Sequence, residues 1–93
     1  YLDAVDAALS KVWAWGPEMV VYNAGVDVFE GDKLGRLSVS AEGVGARDRL
    51  VLEGCWRAGC PVVVTMGGGY AADVEQIVAL HLQTIRISEA LTR

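Results

Sequence analysis

Two glycine-containing loops in this sequence each follow an apolar segment and each hold one side chain with a reactive polar group. The first follows the apolar run 19–22 and holds the carboxylate of Asp27. The second follows the apolar run 61–66, passes through three consecutive glycines, and holds the phenol of Tyr70. A loop of small residues that presents one such side chain is typical of an active site. We therefore interpret the chain as a frame for Asp27 and Tyr70.

Each of these features also has a purely structural interpretation. An aspartate after Ala-Gly is typical of a turn or a cap, and Tyr70 can be a packed tyrosine that follows a plain glycine turn. The glycines at 67–69 can also cradle a phosphate, although this loop lacks the Lys-Ser/Thr of a P-loop and the full GxGxxG. Asp32 is expected to be structural, with its carboxylate accepting from amides of its own loop.

The hydrophobic pattern predicts five elements that position these loops. Apolar residues at helical spacing predict helices, and unbroken apolar runs predict strands of a parallel sheet covered on both faces. A strand, a crossover helix and a second strand form a βαβ unit, so the fold class is α/β. The expected order is helix, strand, helix, strand, helix, over 2–14, 19–22, 41–58, 61–66 and 71–91.

Local signals mark the ends and the buried sides of the helices. Gly16-Pro17 ends the first helix, because proline cannot continue the hydrogen-bond ladder. Ser40 is a side-chain cap for the second helix, and Gly59 closes it. The residues expected to be buried on the second helix are Val44, Leu50, Val51, Leu52 and Cys55. The last helix is expected to carry Val74, Ile77, Val78, Leu82 and Ile85 on one face.

The topology brings the two loops together. Ligands bind outside the carboxyl ends of the strands in open parallel sheets. Asp27 follows the predicted end of the first strand by five residues, and Tyr70 follows the end of the second by four. We therefore expect Asp27 and Tyr70 to face one pocket, with the glycines at 67–69 allowing the backbone to approach a ligand closely.

Composition limits the classes of function. The chain of 93 residues is long enough for one small domain but leaves little margin for a core that stands alone. Its hydrophobic fraction of 53% and mean hydropathy of +0.32 predict that some apolar surface packs against further protein. Since it begins with Tyr1, we expect it to be part of a longer chain. The net charge of −4 and the scattered basic residues argue against binding to nucleic acid or to an anionic membrane. The apolar runs are far shorter than the ~20 residues of a membrane span.

The cysteines and the histidine offer no site of their own. The spacing of Cys55 and Cys60 matches neither a metal-binding CxxC pair nor a disulfide framework. We expect both to be reduced thiols of an intracellular, cytoplasmic protein. His81 is the single histidine and is expected to have a surface or packing role.

A series of short motifs resembles the C-terminal part of the histone deacetylase-like proteins, closest to the class IV branch and its bacterial relatives. The motifs are Asn23-Ala24-Gly25-Val26-Asp27, Glu30-Gly31-Asp32, Leu34-Gly35, Leu37-Ser38-Val39-Ser40, Gly43, Arg47-Asp48 and Gly67-Gly68-Gly69-Tyr70. The resemblance implies the three-layer α/β fold of the arginase/deacetylase type, built on a parallel sheet. Residues 1–93 would then be the C-terminal segment of a catalytic domain.

The resemblance also implies an activity and site residues. It implies hydrolysis, dependent on Zn²⁺, of the amide of an acyl-lysine or a similar acylated amine. Asp27 matches a zinc ligand of the family, and Tyr70 matches the tyrosine that donates a hydrogen bond to the substrate carbonyl oxygen. Leu34 matches a residue at the rim of the substrate channel, and Gly68 and Gly69 match part of its wall.

Two parts of the family's catalytic set are absent from the sequence. The family uses a His-His pair as general base and acid, and an Asp-x-His segment for two further zinc ligands, and this chain contains neither. Because a catalytic zinc takes three protein ligands, we expect residues 1–93 alone to be inactive. Two alternatives are a non-catalytic remnant or binding module with the same C-terminal half of the fold, and a nucleotide-binding α/β domain.

Overall fold

A computed structural model describes residues 1–32, 35, 37–71 and 73–91. The elements follow the predicted order of helix, strand, helix, strand, helix. They are α1 (Leu2–Trp15), β1 (Val20–Gly25), α2 (Ala41–Ala58), β2 (Val62–Gly67) and α3 (Val74–Leu91). The α/β class is confirmed. None of the helices in this described part of the chain is long and apolar enough to cross a membrane.

The two strands pair in parallel, which confirms the βαβ unit. Val20 lies opposite Val62, and the register continues to Gly25 opposite Gly67. Asn23 and Gly25 are poor strand formers by themselves, but pairing with β2 extends β1 over both of them. Asp27 therefore lies two residues beyond β1 instead of five, and Tyr70 lies three beyond β2 instead of four.

The sheet has one covered face. Burial alternates along β1, where Val20, Tyr22 and Ala24 are the more buried residues and the ring of Tyr22 reaches α2. On the opposite face, Val21 is 62% exposed and Val63 is 49% exposed. The prediction that both faces are covered is not met within this chain. The unbroken apolar runs concealed this alternation, because the open face is also lined with valine.

The hydrophobic core lies under the two loops. The cluster beneath the loops consists of Val26, Phe29, Val39, Val44, Ala71 and Leu80, and further buried apolar residues are Ala24, Val51, Leu52 and Cys55. Val26, Phe29, Val39 and Ala71 belong to the connecting segments rather than to a helix or strand. Phe29 and Val39 also form an isolated parallel bridge. The apolar side chains of the first loop therefore anchor it to the core.

The capping residues in the sequence predicted both ends of α2 correctly. The Ser40 hydroxyl accepts from the backbone N–H of Gly43 at 3.0 Å, and Gly59 closes the helix with φ +64°. Of the five residues predicted to be buried, four are buried and Leu50 is half-buried. Arg47 and Asp48 are buried as well, which the apolar pattern did not predict.

The predicted apolar face of α3 is mostly exposed within this chain. Ile77 packs against the core, but the other four residues are 40% to 68% exposed: Val74, Val78, Leu82 and Ile85. The helix instead buries Leu80 and Thr84. The Thr84 hydroxyl donates a hydrogen bond to Asp48 on α2, so a polar residue lies on the side of α3 that faces the core.

Candidate active site

The backbone hydrogen bonds between β1 and β2 place Asp27 at the carboxyl edge of the sheet. The backbone N–H of Val26 donates to the carbonyl oxygen of Gly67 at 3.1 Å, so pairing continues one residue past β1. The side chain of Val26 is 1% exposed and lies in the core. The next residue, Asp27, is exposed. Its carboxylate is thus presented to solvent by a fixed backbone.

Glycines from both loops surround this carboxylate. A Cβ atom at Gly68 would lie 2.9 Å from Cγ of Asp27, and one at Gly25 would lie 3.2 Å from its Oδ1. A Cβ at Gly35 would collide with the backbone oxygen of Asp27. Gly68 also has φ +64°, a conformation that L side chains rarely adopt. Gly68 is therefore needed because the second loop runs directly against Asp27, and Gly35 because the first loop folds back onto the Asp27 backbone.

Asp32 joins the two loops through its carboxylate. Oδ1 accepts from the backbone N–H of Gly35 at 2.8 Å, as expected for a carboxylate that organises its own loop. Oδ2 accepts from the backbone N–H of Tyr70 at 2.6 Å. Asp32 also forms an isolated antiparallel bridge with Ala71. Sequence reasoning found the first contact and missed the other two.

The side chains of Asp27 and Tyr70 are not part of one described cavity. Asp27 lines a cavity with Tyr22, Gly25 and Arg47, and Tyr70 is not among the described residues of its wall. Tyr70 is 51% exposed. The structure thus brings the backbones of the two loops together, as predicted, but does not place the two side chains in this pocket. Leu34, the predicted rim residue, lies outside the described residues.

A polar network is buried beneath the first loop. Asp48 is 0% exposed and accepts from the Tyr22 hydroxyl at 2.5 Å, from Arg47 Nη2 at 2.9 Å and from the Thr84 hydroxyl at 2.5 Å. Burial, and then the hydrogen bond to Asp48, raise the pKa of Tyr22 above its ordinary value. The phenol therefore stays protonated and acts as a donor to the carboxylate.

Arg47 connects this network to the end of β1. Its Nη1 donates to the carbonyl oxygen of Gly25 at 2.5 Å, two residues before Asp27. The guanidinium also lies 5.7 Å from the centre of the Tyr22 ring. Sequence reasoning used Arg47-Asp48 only for the resemblance. The sequence did contain a signal for a buried ion pair, because Arg47-Asp48 lies between Val44 and Val51 on the apolar side of an amphipathic helix.

Replacing Arg47 with methionine is expected to lower the free energy of unfolding by about 3–5 kcal/mol. Methionine fills a similar volume, but it leaves the buried Asp48 without its countercharge and the Gly25 carbonyl without its donor. Urea unfolding of the full-length protein measures the effect.

Arg57→Met is the matched control for this variant. Arg57 pairs with Glu53 across one helical turn, and its side chain is 77% exposed. Exposed pairs contribute less than about 1 kcal/mol, so the control should unfold close to the wild-type midpoint. Equal midpoints for the two variants would show that the buried pair contributes no more than the surface pair.

The described residues supply only part of a metal site. The exposed carboxylate of Asp27 can act as a ligand, but no group of three His, Cys, Asp or Glu side chains in the described part of the chain could hold a metal ion. Cys55 and Cys60 are free, and burial raises the pKa of the Cys55 thiol. His81 lies on α3, with its Nδ1 buried and without a hydrogen-bond partner among the described residues. Asp27 fits as one of the three ligands that a catalytic zinc takes.

Comparison with known proteins gives consistent matches. The sequence matches the histone deacetylase domain family over residues 1–85. An uncharacterized protein from Picosynechococcus sp. is 46% identical over 65 residues, which is 70% of this chain and 22% of that protein. Histone deacetylase 2 from Arabidopsis thaliana is 34% identical over 86 residues, which is 91% of this chain and 22% of that protein.

Proposed function

Because this chain belongs to the histone deacetylase domain family, we propose that the full-length protein is a zinc-dependent hydrolase of acyl-lysine amides or of similar acylated amines. One observation carries the proposal. The loop that ends in Tyr70 runs against the carboxylate of Asp27, at the carboxyl ends of two paired parallel strands. This is the edge at which open α/β sheets bind their ligands.

Asp27 is proposed to hold the metal ion. Its carboxylate is exposed, and the β-ladder and the Arg47–Gly25 hydrogen bond fix the backbone before it. A rigid first ligand limits the positions that a bound ion can take. Zinc, when bound, supplies a Lewis acid that polarises the substrate carbonyl. The two further ligands and the groups that transfer protons are proposed to lie outside residues 1–93.

Tyr70 is proposed to bind the carbonyl oxygen of the substrate. A phenol has one O–H donor, and donors aimed at an oxygen that becomes negatively charged lower the barrier of amide hydrolysis. The backbone of Tyr70 is held by Asp32, while the residue as a whole is 51% exposed. The hydroxyl can therefore reach a substrate placed beside the second loop.

The glycines of the second loop are proposed to form a wall of the substrate channel. Gly68 and Gly69 have φ values of +64° and +106°. A Cβ at Gly69 would lie 2.9 Å from Val26 and 3.0 Å from Ile77, so the glycine lets the loop backbone lie directly on the core. A narrow acylated chain suits a wall without side chains. Leu34 is proposed to match the residue at the rim of this channel.

The full-length protein is proposed to be cytoplasmic.

The proposal is tested by assaying the full-length protein with an acetyl-lysine peptide. We expect hydrolysis that stops when a chelator removes the metal ion and returns when Zn²⁺ is added. Hydrolysis that continues in the metal-free protein would contradict the zinc dependence. Binding of the peptide without hydrolysis would instead support the alternative of a non-catalytic binding module.

A further inference from the structure

The position of Tyr70 has to be fixed by something other than its own loop. Gly67, Gly68 and Gly69 precede it, and glycine has more backbone freedom than any other residue. Tyr70 is half exposed, so packing holds only part of it. A donor that stabilises a developing charge must be held close to its productive position before the reaction.

Asp32 provides this restraint from the other loop. One carboxylate oxygen accepts from the N–H of Tyr70 at 2.6 Å and the other from the N–H of Gly35 at 2.8 Å. Hydrogen bonds to an ionised acceptor are stronger than those between neutral groups. The contact with Tyr70 joins residues 38 positions apart in the sequence, so it ties one loop to the other.

The bridge to Ala71 reinforces this restraint. Asp32 pairs with Ala71 through an isolated antiparallel bridge, and Ala71 is 8% exposed and belongs to the core. The backbone is therefore fixed at Tyr70 and again at the residue after it. With the backbone held at Tyr70 and Ala71, the conformational freedom that Tyr70 retains is rotation of its side chain.

We propose that Asp32 is a positioning residue that places the Tyr70 hydroxyl by holding the second loop against the loop of Asp27. The proposal rests on the proposed function of Tyr70. Asp32 acts through the backbone N–H of Tyr70 and not on the substrate. Its loss should therefore lower kcat more than it changes KM, and only while the Tyr70 hydroxyl is present.

A double-mutant cycle in the full-length protein tests this. Asp32→Ala is expected to lower kcat about 10- to 100-fold in the wild-type background, the cost of a catalytic group displaced by roughly 1 Å. In the Tyr70→Phe background the same change should cost less than about twofold, because the hydroxyl that it positions is already gone. Asp32→Asn keeps the shape and should lower kcat less. It is used if the alanine variant does not fold.

Asp73→Ala is the matched control. Asp73 lies three residues after Tyr70 and accepts from the N–H of Glu75 at the start of α3. Its removal should leave kcat within about twofold of wild type, because this contact stays within one segment. Equal losses of kcat on Asp32→Ala in both backgrounds would overturn the proposal and leave Asp32 as a residue of general stability.

Hydrogen exchange separates this proposal from the proposed function. The Tyr70 amide should exchange at least tenfold faster in Asp32→Ala and at the wild-type rate in Asp73→Ala. This readout requires no activity. If Tyr70→Phe retained full turnover, the function proposed for Tyr70 would fail while the exchange rate still reported whether Asp32 holds the loop. An unchanged exchange rate would reject the restraint itself.

Discussion

Replacing Tyr70 with phenylalanine is expected to lower the kcat of the full-length protein by about 10² to 10³, with the zinc content unchanged. The variant keeps the ring and loses only the O–H that is proposed to bind the substrate oxygen. Zinc content should not change, because the carboxylate of Asp27 and the backbone of the second loop stay in place. Steady-state kinetics with an acetyl-lysine peptide and elemental analysis of the purified variant measure both quantities.

Tyr22→Phe is the matched control for the loss of a hydroxyl. The Tyr22 hydroxyl donates to the buried Asp48 rather than to solvent. Its removal should lower the urea midpoint and leave the kcat of the folded protein nearly unchanged, the reverse of the pattern at Tyr70. Wild-type turnover in Tyr70→Phe would remove Tyr70 from the catalytic set.

Replacing Asp27 with asparagine is expected to weaken zinc binding more than about 100-fold, and activity should fall with it. Changes in groups that merely orient a metal ligand cost 10- to 100-fold in affinity, and loss of the charged ligand itself should cost more. The amide has nearly the shape of the carboxylate, so the exposed site should keep its backbone. Competition with a chelator of known affinity measures the binding.

The control for Asp27 is Glu30→Gln in the same loop. Glu30 is also exposed, and the substitution makes the same change of charge. Its zinc affinity should match wild type. A zinc affinity that is unchanged in Asp27→Asn would exclude Asp27 from the ligands. A loss in both variants would point to the general negative charge of the loop rather than to one carboxylate.

The features that were predictable from the sequence depend on local chemistry. Ser40 and Gly59 set the ends of α2, since a side-chain cap and a left-handed glycine act within one turn. The full length of β1 was not predictable, because Asn23 and Gly25 join the strand through pairing with β2. The side of α3 that faces the core was not predictable from the apolar pattern, because Thr84 on that side bonds to another helix.

The same distinction applies to the candidate site. The meeting of the two loops followed from a general rule, since both come after strands of one parallel pair. The second partner of Asp32 and the contact of Arg47 with Gly25 join residues 38 and 22 positions apart. Such contacts depend on the relative placement of whole elements, which local sequence patterns do not encode. The metal and catalytic roles come from the family resemblance and remain predictions.

The buried carboxylate of Asp48 couples the assembly of three elements. Its donors come from β1, α2 and α3: Tyr22, Arg47 and Thr84. A partly folded form that lacks any one of these elements would leave an ionised group short of partners in an apolar interior, at a cost of several kcal/mol. Folding intermediates in which only two of the three elements are docked are therefore unstable. We expect the three elements to fold in one cooperative step.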